Sequence, residues 1–339
     1  MKIAIHPFKN GFSDSWLEVL KKRNTNYKIV DCYSSNIIEQ LNDCTHLIWQ
    51  WTQADPVAMM MAYDLTKALE QKGIKVFPSS NNSWHFDDKV AQKYLLEAID
   101  AQSVKSYVFY NKDTAKIWAS SCSYPKVFKL KGGASSNNVK LAKDKKQAIR
   151  LINKAFGKGF TRVNRLDLFN ERIRKFKLTP SHKTLLGLAK GVARLFVPTD
   201  LEKTLGKDRG YAYFQEFIPN NDSDIRVIII GEKAFGIKRM VRKNDFRASG
   251  SGLISYNIND IPNECIKIAF DLSEKLNTDC LCYDFVYQEN TPKLIEISYG
   301  FAPIAYIGVK GYWNKNLIFT YEQKPLADYI LLDILNCND

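Results

Sequence analysis

Short apolar bursts separated by longer amphipathic stretches dominate the first eighty residues of the chain. Residues 2–5 form an apolar run, and Trp16, Val19 and Leu20 recur at helical spacing within 13–22. Residues 27–30, 46–49 and 74–77 repeat the strand signature, with helical spacing over 56–72 between the last two. Strands alternating with helices predict a small parallel, Rossmann-like α/β domain over residues 1–82.

The polar run Ser79-Ser80-Asn81-Asn82-Ser83 breaks this rhythm. Asp87-Asp88-Lys89 then opens a helix reaching about residue 99, its acidic pair suited to the positive end of the helix dipole. Strands are predicted at 106–110, 127–130, 211–217, 225–230, 234–241, 281–286 and 293–297, with a helix over 262–276. The chain is thus α/β followed by α+β, with a second unit in two parts, 83–154 and 211–339. Between them, Ile173 and Phe176, then Leu185, Leu186, Leu188, Val192, Leu195 and Phe196, predict helices that also carry Lys183, Lys190 and Arg194. Residues 155–210 therefore read as a basic helical insertion. No internal repeat or low-complexity tract occurs.

Charge sharpens that picture. The net charge is +13, and residues 140–210 hold 19 Lys and Arg against 6 Asp and Glu, so the remainder of the chain is balanced. Such a segment suits an anionic partner, unless it is only a solvated helical face. No apolar run approaches the roughly 18 residues of a membrane span, and the amino terminus reads as a strand rather than a signal peptide, so a cytoplasmic location is expected. Cys280 and Cys282 share one face of a predicted strand without the two-residue spacer of zinc or redox motifs, and the four histidines are far apart. Both observations argue against a zinc site or a histidine triad.

Three groups of residues could carry chemistry. Residues 125–136 form a strand followed by Gly132-Gly133-Ala134-Ser135-Ser136, where glycines let backbone N–H groups approach a phosphate and Lys129 adds a positive charge. The lysine precedes the glycines, so this is no Walker A loop, and by itself the segment reads more readily as a hairpin turn. Asp284 and Glu296 flank the turn signal Glu289-Asn290-Thr291-Pro292, and antiparallel strands would bring them together as magnesium ligands or as a mere acidic pair. Arg226, Lys238, Arg239 and Arg247 supply cations of the kind that offset charge on a transferring phosphoryl group.

Taken in order, Gln215-Glu216-Phe217-Ile218, Asp224-Ile225-Arg226, Asp245-Phe246-Arg247 and Asp284…Glu296-Ile297-Ser298 resemble the ATP-grasp superfamily. The branch most similar holds the glutathione synthetases, D-alanine ligases and ribosomal-protein glutamate ligases. The resemblance spans nearly the whole chain and implies an ATP-grasp fold preceded by the α/β domain. It implies that Lys89, Lys129 and Lys238 face nucleotide phosphates, and that Gly132, Gly133 and Ser135 belong to a loop closing over ATP. It further implies that Glu216, Phe217 and Ile218 form the adenine hinge, that Asp224 accepts ribose hydroxyls, and that Arg239 and Arg247 stand at the reaction centre. Asp284, Glu296 and Ser298 would hold Mg2+, for which Mn2+ can substitute.

Two positions depart from the family pattern. Glu-x-Asn stands here as Glu296-Ile297-Ser298, and Phe-Arg-Ser-Asn as Phe246-Arg247-Ala248-Ser249. The implied activity is an ADP-forming, ATP- and Mg2+-dependent carboxylate–amine ligase working through an acyl phosphate. Its partners would be a carboxylate and an amine, the acceptor being an anionic polymer or a cell-surface polysaccharide precursor met at the inner membrane face. The insertion would dock that acceptor, or serve as a lid or homo-oligomer contact. Competing expectations are an ATP-binding module without turnover and a nucleic-acid-binding protein that uses residues 155–210.

Overall fold

The computed structural model describes residues 1–133, 138–163, 165–242 and 251–335; within it the side chains of residues 166–168, 171, 174, 175 and 178 are outside the description. The chain opens with β1 (Ile3–Ile5), α1 (Phe12–Lys22), β2 (Tyr27–Ile29), α2 (Ile37–Gln40), β3 (His46–Ile48), α3 (Pro56–Gln71) and β4 (Lys75–Phe77). The strands form a parallel sheet in the order β2-β1-β3-β4. All three residues of β1 and of β3 are buried, as befits central strands of a sheet covered on both faces. Helix α3 starts where its sequence prescribes: Asp55 caps the N–H groups of Val57 and Ala58, and Pro56 takes the first turn, where no N–H is needed.

A short helix α4 (Ser80–Ser83) and α5 (Lys89–Ala98) lead into the second sheet. Asp88 is the cap of α5, accepting from the N–H groups of Val90 and Ala91. Strand β5 (Ser106–Phe109), helix α6 (Lys112–Ser121), β6 (Lys126–Lys129), β7 (Lys140–Ala142) and α7 (Lys145–Ala155) follow. The glycine-bearing segment joins β6 to β7, which pair antiparallel. The stretch before the next long strand holds β8 (Phe160–Thr161), α8 (Arg165–Leu178), α9 (His182–Phe196), α10 (Asp200–Leu205) and β9 (Lys207–Asp208), with β8 and β9 paired at its base. Strand β10 (Ala212–Glu216) then completes the second sheet in the order β5-β10-β6-β7.

The third sheet is the largest. It contains β11 (Ser223–Ile230), β12 (Lys233–Met240), β13 (Ile254–Ser255), β14 (Cys280–Gln288), β15 (Thr291–Ser298), β16 (Gly311–Trp313) and β17 (Phe319–Tyr321), ordered β15-β14-β11-β12-β16-β17 with β13 beside β12. Helix α11 (Asn263–Leu276) covers one face, burying Cys265, Ile266, Ala269 and Phe270, and ends on Asn277 in the left-handed conformation. Helix α12 (Leu326–Ile334) closes the described chain.

The strands foreseen from the sequence lie within a residue or two of these bounds; α6, α7, α12 and the short edge strands β16 and β17 are additions. Seven of the 19 cations in residues 140–210 lie between 140 and 158, on or beside β7 and α7 rather than in the helical segment that follows. The six described cysteines are free thiols. No helix among the described residues is long and apolar enough to cross a membrane.

Candidate functional site

A cleft of about 750 Å3 is lined by the loops that follow β1 and β3 and by residues of the second and third sheets, where period-two alternation decides which strand side chains reach it. On β6, Val127 and Lys129 face the cleft, while Phe128 turns away into a core with Phe214. Lys129 sits across from Tyr213 on β10, and its Nζ donates to Oε1 of Gln215 at 2.6 Å. Gln215 is itself oriented by Ser106, to whose Oγ its Nε2 donates at 3.1 Å. Burial lowers the pKa of the Lys129 ammonium to about 8, against the support of Glu296 and with the opposition of Lys89.

Lys89 enters from the first turn of α5. Its Nζ lies 3.4 Å from Oε1 of Glu296 and donates to the carbonyl of Gly133 at 2.8 Å. Burial disfavours its charge, but Glu296 and Asp87 outweigh that and raise its pKa. The Gly133 N–H donates to both oxygens of Asp87, at 2.8 and 2.9 Å. A Cβ at Gly132 would come within 2.9 Å of Asp87 Oδ2, so a larger residue would have to displace that carboxylate. Burial raises the Asp87 carboxyl to about 6.

On the third sheet, Asp224 and Arg226 share one face of β11, opposite Arg239 on β12 and Asp284 on β14 respectively. Arg226 grips Asp284 through Nε and Nη2 at 2.5 and 2.6 Å. Arg239 grips Asp224 in the same bidentate manner at 2.6 and 2.7 Å and reaches Oδ2 of Asp284 at 2.8 Å. Two guanidinium groups and two carboxylates thus form a neutral, buried ladder across three strands. Burial alone would raise the Asp284 carboxyl; the two arginines hold it well below the usual carboxylate range. Glu296 pairs with Asp284 across β14 and β15, and Ser298 follows on the same face opposite Cys282.

Most of the expected site residues therefore meet in one place: Lys89, Lys129, Gly133, Glu216, Phe217, Ile218, Asp224, Arg239, Asp284, Glu296 and Ser298 all line the cleft, and Gly132 packs on Asp87 at its margin. Three of the expected residues have particular placements. Asp224 lines the cleft but is only 4% exposed, and each of its oxygens already accepts from Arg239. Lys238 alternates to the face opposite Arg239 and does not line the cleft. Ser298 spends its hydroxyl within a turn, donating to the Gly300 carbonyl at 3.1 Å and accepting from its N–H at 3.2 Å. Arg247 and Ser135 lie outside the described residues.

The Glu216 carboxylate is clamped by Lys126 Nζ at 2.6 and 2.7 Å and by the Tyr107 hydroxyl at 2.9 Å. The Glu216 N–H is likewise engaged, donating to the Lys105 carbonyl at 2.9 Å. Sequence reasoning missed Asp87 and Gln215, although both stand in quoted strings. The available signal was strand alternation, which puts Gln215 on the Lys129 face, and the adjacency of Asp87 to the Asp88 cap.

Magnesium prefers hard oxygen donors and takes one or two carboxylates beside substrate phosphates. The register pair of Asp284 and Glu296 fits that preference, since a carboxylate retains lone pairs beyond the three guanidinium hydrogens that Asp284 accepts. Among the described residues no group of three His, Cys, Asp or Glu gathers into a larger metal-binding cluster. Beside the loops after β1 and β3 the cleft walls carry Asn10, Gln50, Trp51, Thr52, Phe301 and Tyr306, the last of these close to Arg226. There the Trp51 Nε1 and the Tyr306 hydroxyl are buried without a hydrogen-bond partner.

No family model and no curated protein sequence matches this chain. Its fold does match solved structures. A RimK-domain ATP-grasp protein from Sphaerobacter thermophilus superposes with a TM-score of 0.57 at 13% identity, over 99% of this chain and 100% of that one. The D-alanine–D-alanine ligase of Bacillus anthracis complexed with ATP gives 0.56 at 12% identity, over 99% and 97%. The D-cycloserine synthetase DcsG gives 0.59 at 10% identity, over 99% of each. The likeness is one of architecture: the chain has an ATP-grasp-like fold with helical insertions.

Proposed function

We propose that this ATP-grasp-like chain is an ADP-forming carboxylate–amine ligase, with residues 1–82 as the domain before the nucleotide cleft, 83–154 and 211–339 as its two walls, and 155–210 as an insertion. One observation carries the proposal. A single cleft holds Lys89 and Lys129 on one wall, the register-paired Asp284 and Glu296 on the other, and an aromatic end beside them. Lys89 and Lys129 would meet ATP phosphates, and the Glu216–Ile218 main chain would read adenine. The Asp284–Glu296 pair would hold Mg2+, or Mn2+ in its place, with Ser298 as a further oxygen after a turn of its hydroxyl; when bound, the ion offsets the charge gathered on the phosphates.

A substrate carboxylate oxygen attacks the γ-phosphorus, the bond to the β-phosphate oxygen breaks, and ADP leaves with that electron pair. The amine nitrogen then attacks the acyl carbon, forming the C–N bond as phosphate departs and the amine loses a proton. Arg239, held in place by Asp224 and Asp284, would present its remaining guanidinium surface to the transferring group, joined by Arg247. The fold likeness to proteins named as D-alanine–D-alanine ligase and D-cycloserine synthetase supports ligase chemistry. The direct test is ADP release with a panel of carboxylates and amines, the carboxylate oxygens being labelled with 18O. Label appearing in inorganic phosphate is the expected result; unlabelled phosphate, or release indifferent to both substrates, would sink the proposal. A second reading, nucleotide binding without turnover, draws on the Ser298 hydroxyl being spent on Gly300, and predicts a nucleotide-induced thermal shift with no ADP released.

A further inference from the structure

Helix α9, His182–Phe196, has three distinct faces. Thr184, Gly187, Leu188, Gly191 and Leu195 are its least exposed positions and lie toward α8. A Cβ at Gly191 would stand 2.9 Å from both Phe169 and Arg172, and Arg172 donates to the Gly187 carbonyl at 2.6 Å. That close packing fixes which side turns outward. The outward side carries Leu185, Ala189, Val192 and Phe196 at i, i+4, i+7 and i+11, with Leu186 alongside. Phe196 is 81% exposed, Leu186 62% and Leu185 52%. Lys183, Lys190 and Arg194, again at i, i+7 and i+11, form the third face, beyond Leu186 on one side of the stripe, and the helix contains no Asp or Glu.

We propose that α9 is an interfacial helix that seats the protein on an anionic lipid bilayer, its apolar stripe in the acyl boundary and its three cations among the headgroups. An exposed apolar stripe beside a face of Lys and Arg is what such a surface rewards, since burial of the stripe and attraction to anionic lipid add. A second copy packed on the stripe would leave the three cations of the adjoining face without a partner. A nucleic acid would engage the cations and leave Phe196 and Leu186 in water. Arg172, occupied between the helices, is not one of the docking cations.

The test is co-sedimentation of the full chain with phosphatidylcholine vesicles, with and without roughly one-third phosphatidylglycerol, at low and high salt. Two variants separate the contributions: Leu186→Ser with Phe196→Ser, and Lys183→Gln with Lys190→Gln and Arg194→Gln. All five side chains are exposed, so melting temperature and circular dichroism should be unchanged. Wild type should partition onto anionic vesicles about tenfold more than onto neutral ones, losing this at high salt, and each variant should lose about tenfold. A Phe196→Trp variant should shift its emission to the blue with anionic vesicles alone. Equal partition onto both vesicle types, or unchanged partition of either variant, would overturn the proposal. So would a dimer abolished by Phe196→Ser, or RNA binding, in the absence of vesicle binding.

Discussion

At Lys129 two demands conflict. Burial lowers its pKa to about 8, yet the proposed contact with phosphate needs the charge. A lysine whose folded-state pKa is depressed costs stability at pH 7, and the cost fades as pH rises from about 8 toward its ordinary 10.5. Lys129→Met should therefore leave the free protein as stable or about 1–3 kcal/mol more stable, and abolish the thermal shift produced by Mg-ATP. Calorimetry in two buffers of different ionisation enthalpy should show proton uptake on ATP binding near pH 8.5 in wild type and none in the variant. Asp284 is the opposite case, its carboxyl held low by Arg226 and Arg239. Its contribution is present at neutral pH and is lost as pH falls below the ordinary carboxylate range. Asp284→Asn leaves two buried guanidinium groups with one carboxylate and should cost about 3–5 kcal/mol in denaturant titration. Glu296→Gln, at a side chain 31% exposed whose partner Lys89 keeps the Asp87 carboxylate, should cost less than this while raising the magnesium requirement. Equal losses for the two would show that the ladder is not the stabilising unit.

Between α8 and α9 the two glycines of α9 differ sharply. A Cβ at Gly191 would press on Phe169 and Arg172, whereas one at Gly187 would meet nothing within 4 Å. Gly187→Ala should thus stabilise the hairpin by up to about 1 kcal/mol through helix propensity, and Gly191→Leu should splay it. Limited proteolysis across 165–205 reads both, with slower cleavage in the first and faster in the second. The same scale explains what the sequence disclosed. Strands of the third sheet were legible as runs rich in β-branched and aromatic residues between turn signals, and the β14–β15 register brings Asp284 and Glu296 together. Helix α6 was missed because it buries only Ala115 and Ala119, which leave little hydrophobic period. Helix α7 hid within a charge run, its buried positions being Ala148, Ile152 and Ala155. Helix α12 is nearly continuous in apolar residues, so periodicity alone cannot tell it from a buried strand. The Asp224–Arg239 pair was not legible because the two are fifteen residues apart and only the β11–β12 register joins them.

Across the molecule most of the described buried apolar residues fall into two cores. One runs from the first sheet through α11 to the third, taking in Trp16, Leu47, Val227, Phe270 and Leu331. The other belongs to the second sheet, and six of its eleven buried residues are alanine, so it removes far less apolar surface from water. The two meet mainly at polar points: the Lys89–Glu296 ion pair, the Val104 N–H bonded to the Leu294 carbonyl at 2.9 Å, and the Leu294 N–H bonded to that of Gln102 at 2.9 Å. A smaller core joined through a few polar contacts should open before the larger one. In amide hydrogen exchange, β6 and β10 should therefore exchange by an opening of lower free energy than β11 and β14. A nucleotide in the cleft touches both walls, so ordering by Mg-ATP should add protection mostly on the weaker side. At a ligand concentration about a hundredfold above Kd the gain is limited to about 2.7 kcal/mol, and it should appear at Val127–Lys129 and Tyr213–Glu216. Uniform exchange across all three sheets in the free protein would disprove the division into two cores. Protection gained on the third sheet alone would leave the division intact and remove the second sheet from the nucleotide site.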